Sequence, residues 1–248
     1  MARRGARRVS GRRRIAGLSA SVVAIAIAVV AGALLWDPAS EDSFGADAAS
    51  GSAAGLLASL EVKNRAPKTG YTRDEFGSGW LDPDRNGCDT RNDTLARDLT
   101  DVVTSGPCTV LTGTLIDPYT GEWIAFQRGP DTSPLVQIDH VVALSDAWQK
   151  GAQRLDPDRR RLLANDPRNV LAVSGSANAQ KGDGDAATWL PRNTSIRCAY
   201  VARQVSVKAA YDLWVTPAER DAIARVLATC PEEPAVPASA GPLTVSAH

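Results

Sequence analysis

The 248-residue sequence predicts an α+β domain that works outside the cytoplasm. Three observations carry that expectation. Strand-like and helix-like stretches follow one another in uneven order, unlike the regular alternation of a parallel βα fold. A basic flank and a charge-free apolar run open the chain. All four cysteines lie beyond that run.

The opening MARRGARRVSGRRR carries seven arginines and no acid over residues 1–14. The formal net charge of zero hides this asymmetry, because the remaining 21 basic residues face 28 acidic ones. A nucleic-acid arm is one reading of the opening. The positive flank of a membrane segment fits better, because IAGLSASVVAIAIAVVAGALLW, Ile15–Trp36, follows without a charge. As a helix these 22 residues span about 33 Å, roughly one hydrocarbon core. That length favours an uncleaved transmembrane anchor. Ala46-Asp47-Ala48 keeps a cleaved signal peptide open, as an A-x-A site. Either way the arginines stay inside and the chain from Asp37 onward is exported. Arg12-Arg13 is a poor twin-arginine signal in these flanks.

Composition then sets the borders. Residues 37–59 are rich in Ala, Ser, Gly and Asp and read as a linker. Residues 60–230 form the folded domain, and 231–248 read as a disordered tail. Cys88, Cys108, Cys198 and Cys230 contain no C-x-x-C pair, which disfavours zinc. Four cysteines allow three connectivities. An oxidising compartment favours two disulfides, and 88–108 with 198–230 closes the more local loops. Each such bridge stabilises a fold by roughly 3 kcal/mol.

Within the domain, CTVLTGTLIDPYTGEWIAFQRG reads as a hairpin turning at Asp117-Pro118-Tyr119-Thr120-Gly121. SPLVQIDHVVAL is a further strand. Ser145 is a candidate N-cap for a helix through DAWQKGAQRL. DPDRRRLLAND is a short helix, and RNVLAV is a strand. SGSANAQKG turns into a helix that stops at Gly182. AYVARQVSVKAAYDLWV and TPAERDAIARVLATC are helical, the second capped by Thr216 with Pro217 in first position.

The chain has two histidines, His140 and the terminal His248. An isolated histidine at a strand end is most simply a hydrogen-bonded structural residue. Its neighbours make His140 a stronger candidate. Asp139 sets a carboxylate beside a base that titrates near pH 6.5. Downstream, Asn178 and Lys181 stand three apart and share one helix face.

DHVVAL, RNVLAV and NAQK, in this order, resemble the HNH endonucleases, whose site is a ββα-metal finger. The resemblance is to the branch with Asp-His in the first strand and Asn in place of the last histidine. CDTRND, DPYTG, DHVVALSDAW and GDAATWLP extend the likeness to exported actinobacterial HNH-family proteins over roughly 70–230. It implies a divalent metal, Mg²⁺ or Mn²⁺, held by Asp139 and Asn178 through oxygen atoms. It implies His140 as general base, Asn169 as the residue that braces the loop, and Lys181 as a phosphate contact or a plain surface lysine. Asp139 and His140 point to opposite faces of an ideal strand, so a bend or bulge is expected there. Nucleic acid is the implied substrate, DNA in the first instance, with low sequence specificity because no base-reading motif is visible.

Between Trp148 and Ala210, eleven basic residues face five aspartates, a candidate basic patch. Asp82–Asp93, DPDRNGCDTRND, nearly fits a calcium loop, but Asp93 replaces the bidentate Glu and a disulfide-pinned turn is the better reading. Arg91 is either a phosphate clamp or a structural ion-pair partner. The competing function is a non-catalytic surface module that binds nucleic acid or a wall polymer on a nuclease scaffold. The shortage of histidines disfavours a zinc hydrolase.

Overall fold

In a computed structural model the chain divides into two units, Met1–Glu41 and Asp42–His248. The structure describes residues 1–2 and 51–243, all but two of them in the second unit. The apolar segment 15–36 and the candidate cleavage site at 46–48 lie outside the described residues. No helix among the described residues is long and apolar enough to cross a membrane.

Ala53–Ser59 is the first helix (α1), capped by the Ser52 hydroxyl on the Gly55 N–H at 3.2 Å. Ala53 and Leu57 enter the main core. The tail lies alongside: Ser52 pairs with Pro234, and the Ala53 N–H donates to the Glu233 carbonyl at 2.8 Å. Val236 and Leu243 pack on the same core. Both expected borders, at 60 and 230, are therefore corrected outward. Small residues hid the helix, and the tail is held by distant partners that leave no local pattern.

A 3-10 turn at Arg73–Phe76 precedes helix Thr90–Asp98 (α2), capped by Asp89 on the Asn92 N–H at 2.8 Å. The expected hairpin forms from Thr109–Ile116 (β2) and Trp123–Gln127 (β3), in unbroken register from Thr112↔Gln127 to Ile116↔Trp123. Thr100–Ser105 (β1) adds a third strand on the far side of β2. It is mostly exposed and irregular in register, so it has no apolar alternation to betray it.

A second, two-stranded antiparallel sheet pairs Val136–His140 (β4) with Val170–Ser174 (β5), from Val136↔Ser174 to His140↔Val170. Leu144–Gln149 (α3) and Pro157–Asn165 (α4) are inserted between the two strands. Helix α3 starts at Leu144, so Ser145 lies inside its first turn and Ala143, not Ser145, is the cap residue. Helix Gly175–Lys181 (α5) follows β5 directly and stops at Gly182, whose φ of +52° is left-handed. β5 is buried at every position. Leu171 and Val173 face the core that holds Tyr119, while Val170 and Ala172 face the one that holds Ile138. A strand covered on both faces reads as an unbroken apolar run, as VLAV does.

Arg197–Ala210 (α6) and Pro217–Leu227 (α7) close the domain, α7 opening on a complete capping box between Thr216 and Glu219. Beneath them lies a buried charge cluster. Lys150 contacts Asp146, Asp185 and Glu219, each at 2.7 Å. Lys208 contacts Glu219 at 3.0 Å, and the half-exposed Arg65 reaches Asp146 and Asp185 at 2.7 Å. Three cations meet three acids, so no charge is left uncompensated inside. Disulfides join Cys88 to Cys108 and Cys198 to Cys230, as expected.

These contacts predict the effect of trimming. Burial of a leucine alone stabilises by about 1.5–3 kcal/mol. A chain cut to residues 60–230 loses Leu57 and the tail pairing together, and its urea midpoint should fall well below that of the uncut chain. Equal midpoints would show that α1 and the tail only decorate the surface.

Candidate functional site

The site is built at the end of β4. Asp139 and His140 are both buried, at 5% and 6% exposure. No bulge separates them, since β4 keeps regular register to its last residue; of the expected bend or bulge, the chain shows a bend directly after His140, at Val141 and Val142. The strand ends at His140, and one cleft takes in both residues. This cleft, of about 430 Å³, is lined by Asp139, His140, Asn178, Trp80, Arg73 and Arg91 among others.

Asp139 faces the main core, where an unpartnered carboxylate would be costly. Lys181 donates to one oxygen at 3.0 Å and the Tyr119 hydroxyl to the other at 2.5 Å. The Lys181 ammonium also donates to the His140 carbonyl at 2.8 Å. Burial, and then the Asp139 charge, push the Tyr119 phenol well above its ordinary range, so it stays a donor. Lys181 is buried at 3% exposure, which excludes the plain surface lysine considered from the sequence. Its helix carries it inward, one turn past Asn178.

Tyr119 was not singled out from the sequence as a site residue. It sits in the hairpin turn between β2 and β3, which composition describes only as a turn. Asp117 docks that turn: fully buried, it accepts from the Ser174 N–H at 2.9 Å and from the Thr120 hydroxyl at 2.7 Å. A buried Asp in a Pro-Gly turn is the one signal that could have marked it.

His140 Nε2 lies 2.8 Å from the Ala164 carbonyl. A carbonyl only accepts, so Nε2 carries the proton and Nδ1 keeps its lone pair. Trp80 stacks on the ring, with centroids 5.6 Å apart and planes 16° from parallel. Burial lowers the imidazole pKa to about 3, with Arg73 and Lys181 adding to the effect and the Ala164 carbonyl opposing it.

Asn169 is fully buried and clamps both sides of this arrangement. Its amide oxygen accepts from the Val142 N–H at 2.8 Å, and its amide nitrogen donates to the Leu163 carbonyl at 3.1 Å. Its own carbonyl accepts from the Val141 N–H at 2.7 Å. The chain leaving His140 is thus tied to the end of α4, which supplies the carbonyl that orients the ring. Asn178, on α5, donates from its amide nitrogen to the Gln137 side-chain oxygen at 2.9 Å. That bond turns the amide so that its nitrogen is engaged and its oxygen is left as the donor atom for another partner.

Two other sequence expectations change. Of the eleven basic residues in 148–210, six are buried: Lys150, Arg160, Arg168, Lys181, Arg203 and Lys208. They bind acids and carbonyls inside the fold, so no broad basic patch faces solvent there. In the 82–93 loop, Asp82 accepts from the Gly87 N–H at 2.9 Å, and Asp84 and Asp93 accept from the Asn86 side chain at 3.1 and 3.3 Å. The acids are turned onto their own loop, which the Cys88–Cys108 bridge pins.

The buried imidazole has a pH signature. Its folded pKa, about 3, lies below the unfolded value near 6.5. Between the two the unfolded chain binds the extra proton, so His140 makes stability fall as pH drops from about 6.5 to about 3. Urea unfolding in EDTA should show a shallower loss over that window for His140→Gln than for the parent. Identical slopes would mean the ring is not held neutral by burial.

The C-terminal domain of the GmrSD restriction endonucleases matches residues 89–226, a span that contains Asp139, His140, Asn169, Asn178 and Lys181. An "Uncharacterized secreted protein" of Arthroderma benhamiae is 38% identical over 178 residues, covering 71% of this chain and 83% of that one. No solved structure matches. The match runs over more than half of the sequence and takes in the whole cleft-forming β4–β5–α5 unit, and the chain belongs to the family of GmrSD restriction endonuclease C-terminal domains.

Proposed function

We propose that the protein is an exported, metal-dependent endonuclease of the HNH type that hydrolyses nucleic-acid phosphodiester bonds. One observation carries this reading: β4, β5 and α5 bring Asp139, His140 and Asn178 to the same cleft, with the imidazole lone pair on Nδ1. The order strand, strand, helix supports the ββα unit that the resemblance implies. The family match supports a nuclease, and the two disulfides together with the secreted relative support export.

The donor set fits a hard divalent cation. The Asp139 carboxylate has a proton donor on each oxygen, and each oxygen retains a second lone pair. The Asn178 amide oxygen is left over by the bond to Gln137. Two protein oxygens, completed by water and phosphate, suit Mg²⁺ or Mn²⁺ better than zinc. The nearby Lys181 ammonium weakens cation binding by like-charge repulsion, so the affinity is modest. When bound, such a cation would offset charge on the scissile phosphate and on the leaving 3′ oxygen.

The chain's own residues supply the rest. His140 Nδ1 accepts a proton from the attacking water. Its ring is held by Ala164 on one edge and Trp80 on one face, which leaves little freedom to lose on reaction. An anionic phosphodiester in the cleft favours the imidazolium and raises the proton affinity of Nδ1 when substrate is present. Asn169 and Lys181 act as positioning residues, the first through the backbone around His140 and the second through the Asp139 carboxylate. With no base-reading element at the cleft, cleavage is tolerant of sequence.

Plasmid nicking by the full-length chain in mild detergent with Mg²⁺ tests this. His140→Ala should slow it by about 10²–10⁴-fold. Nicking at the parental rate by that variant ends the assignment. Asp139→Asn and Asn178→Ala should each raise the Mn²⁺ concentration needed for half-maximal binding, read by electron paramagnetic resonance. If Mn²⁺ binds both variants as it binds the parent, the cation sits elsewhere. A non-catalytic binding module, by contrast, holds nucleic acid in EDTA and never nicks it.

A further inference from the structure

Six of the eleven cations of the expected basic patch are buried, yet the cleft is not without cations. Arg73 and Arg91 come from segments before the β4–β5–α5 unit, the 3-10 turn Arg73–Phe76 and helix α2, and both line the His140 cleft. The acids on that cleft are already engaged: Asp139 by Lys181 at 3.0 Å, and Asp183 by Lys68 at 3.1 Å. Neither the Arg73 nor the Arg91 side chain makes a hydrogen bond or a close ion pair among the described residues. An arginine settled into a structural role does, as Arg97, Arg128 and Arg160 show by donating to Asp98, Asn92 and Glu75.

Arg91 is partly buried and also lies near another guanidinium. Burial, and then the charge of Arg128, lower its pKa, while Asp89 only partly offsets them. Arg128 is spent on the Val110 carbonyl and the Asn92 side chain, both neutral. Arg73 is close enough to His140 to disfavour the imidazolium. Two like charges on one cleft, only partly offset by Asp89, cost stability unless an anion arrives. A guanidinium presents a planar fork of donors that matches phosphate oxygens, which makes a phosphodiester the complementary ligand.

We propose that Arg73 and Arg91 are a phosphate-binding pair that holds the sugar–phosphate backbone of a nucleic acid across the cleft beside His140. The proposal rests on the endonuclease reading for its substrate class. It assigns substrate grip to the segment ahead of the ββα unit, not to the unit itself. It also explains the placement of the Cys88–Cys108 bridge, which anchors the start of the segment carrying Arg91 to the β1–β2 turn. Because both contacts are to backbone phosphate, the grip carries no base preference.

The test is binding of a fluorescein-labelled oligonucleotide, single-stranded and duplex, to the full-length chain in detergent and EDTA over a range of salt. Each phosphate contact contributes roughly 0.7–0.9 to the slope of log K against log salt. Arg73→Gln and Arg91→Gln should each reduce the slope by about that amount and weaken binding about tenfold. Arg73→Lys and Arg91→Lys keep the charge and should restore the slope. The seven N-terminal arginines are common to all variants and cancel in the comparison. Parental slope and affinity in both Gln variants overturn the pair, as does a parent that binds no nucleic acid. Lys variants as defective as the Gln variants overturn it too, since they mark a structural role. A parent that binds with the expected slopes but never nicks sinks the endonuclease reading and leaves the pair standing. A parent that nicks, with Gln variants of unchanged KM and slope, sinks the pair alone.

Discussion

A carboxylate in a core has to be neutralised, and much of this site follows from how Asp139 is. Its two partners come from different parts of the chain, Lys181 from α5 and Tyr119 from the β2–β3 turn. Satisfying one acid therefore fixes a helix and a hairpin against the strand that carries His140. Lys181 strengthens the arrangement by donating to the His140 carbonyl as well. Removing one member of such a buried set leaves the others uncompensated, at about 3–5 kcal/mol. The same constraint leaves the acid at the cleft with spare lone pairs, so structural and chemical roles coincide.

His140 is held by a second, neutral set of bonds. Asn169 ties residues Val141 and Val142 to Leu163, and the next residue, Ala164, supplies the carbonyl that fixes the ring. The insertion between β4 and β5 thus serves the site, because its last turn orients the imidazole. Burial on one side and Trp80 on the other keep the ring neutral and still. A rigid imidazole beside a hydrogen-bonded acid is the preorganisation that the proposed hydrolysis requires.

Farther from the cleft, the cluster of Lys150, Lys208 and Arg65 with Asp146, Asp185 and Glu219 joins α3, α6, α7 and the segment after α5. It accounts for two of the six buried cations in the stretch that composition presents as a basic patch. Net charge over a window cannot distinguish a cation facing solvent from one facing an acid inside. The cations that line the His140 cleft are Arg73 and Arg91, from a region whose composition gives no such hint.

Local chemistry alone specified a good deal. The turn at Asp117–Gly121, the stop at Gly182 and the capping box at Thr216 follow from backbone preferences of a few adjacent residues. The short-range spacing of the cysteines made the two bridges readable. Asp139, His140, Asn169 and Asn178 are singled out by residue type and order, and the fold brings Asp139, His140 and Asn178 to one cleft with Asn169 bracing the chain beside it. Tertiary structure decided the rest. It turned Lys181 inward, recruited Tyr119 and buried α1 and the tail, because each depends on a partner distant in the chain, and it brought Arg73 and Arg91 to the cleft through the fold of the segments that carry them. Whether a side chain meets water, an acid or a carbonyl is a property of the packed whole, and no window of sequence contains it.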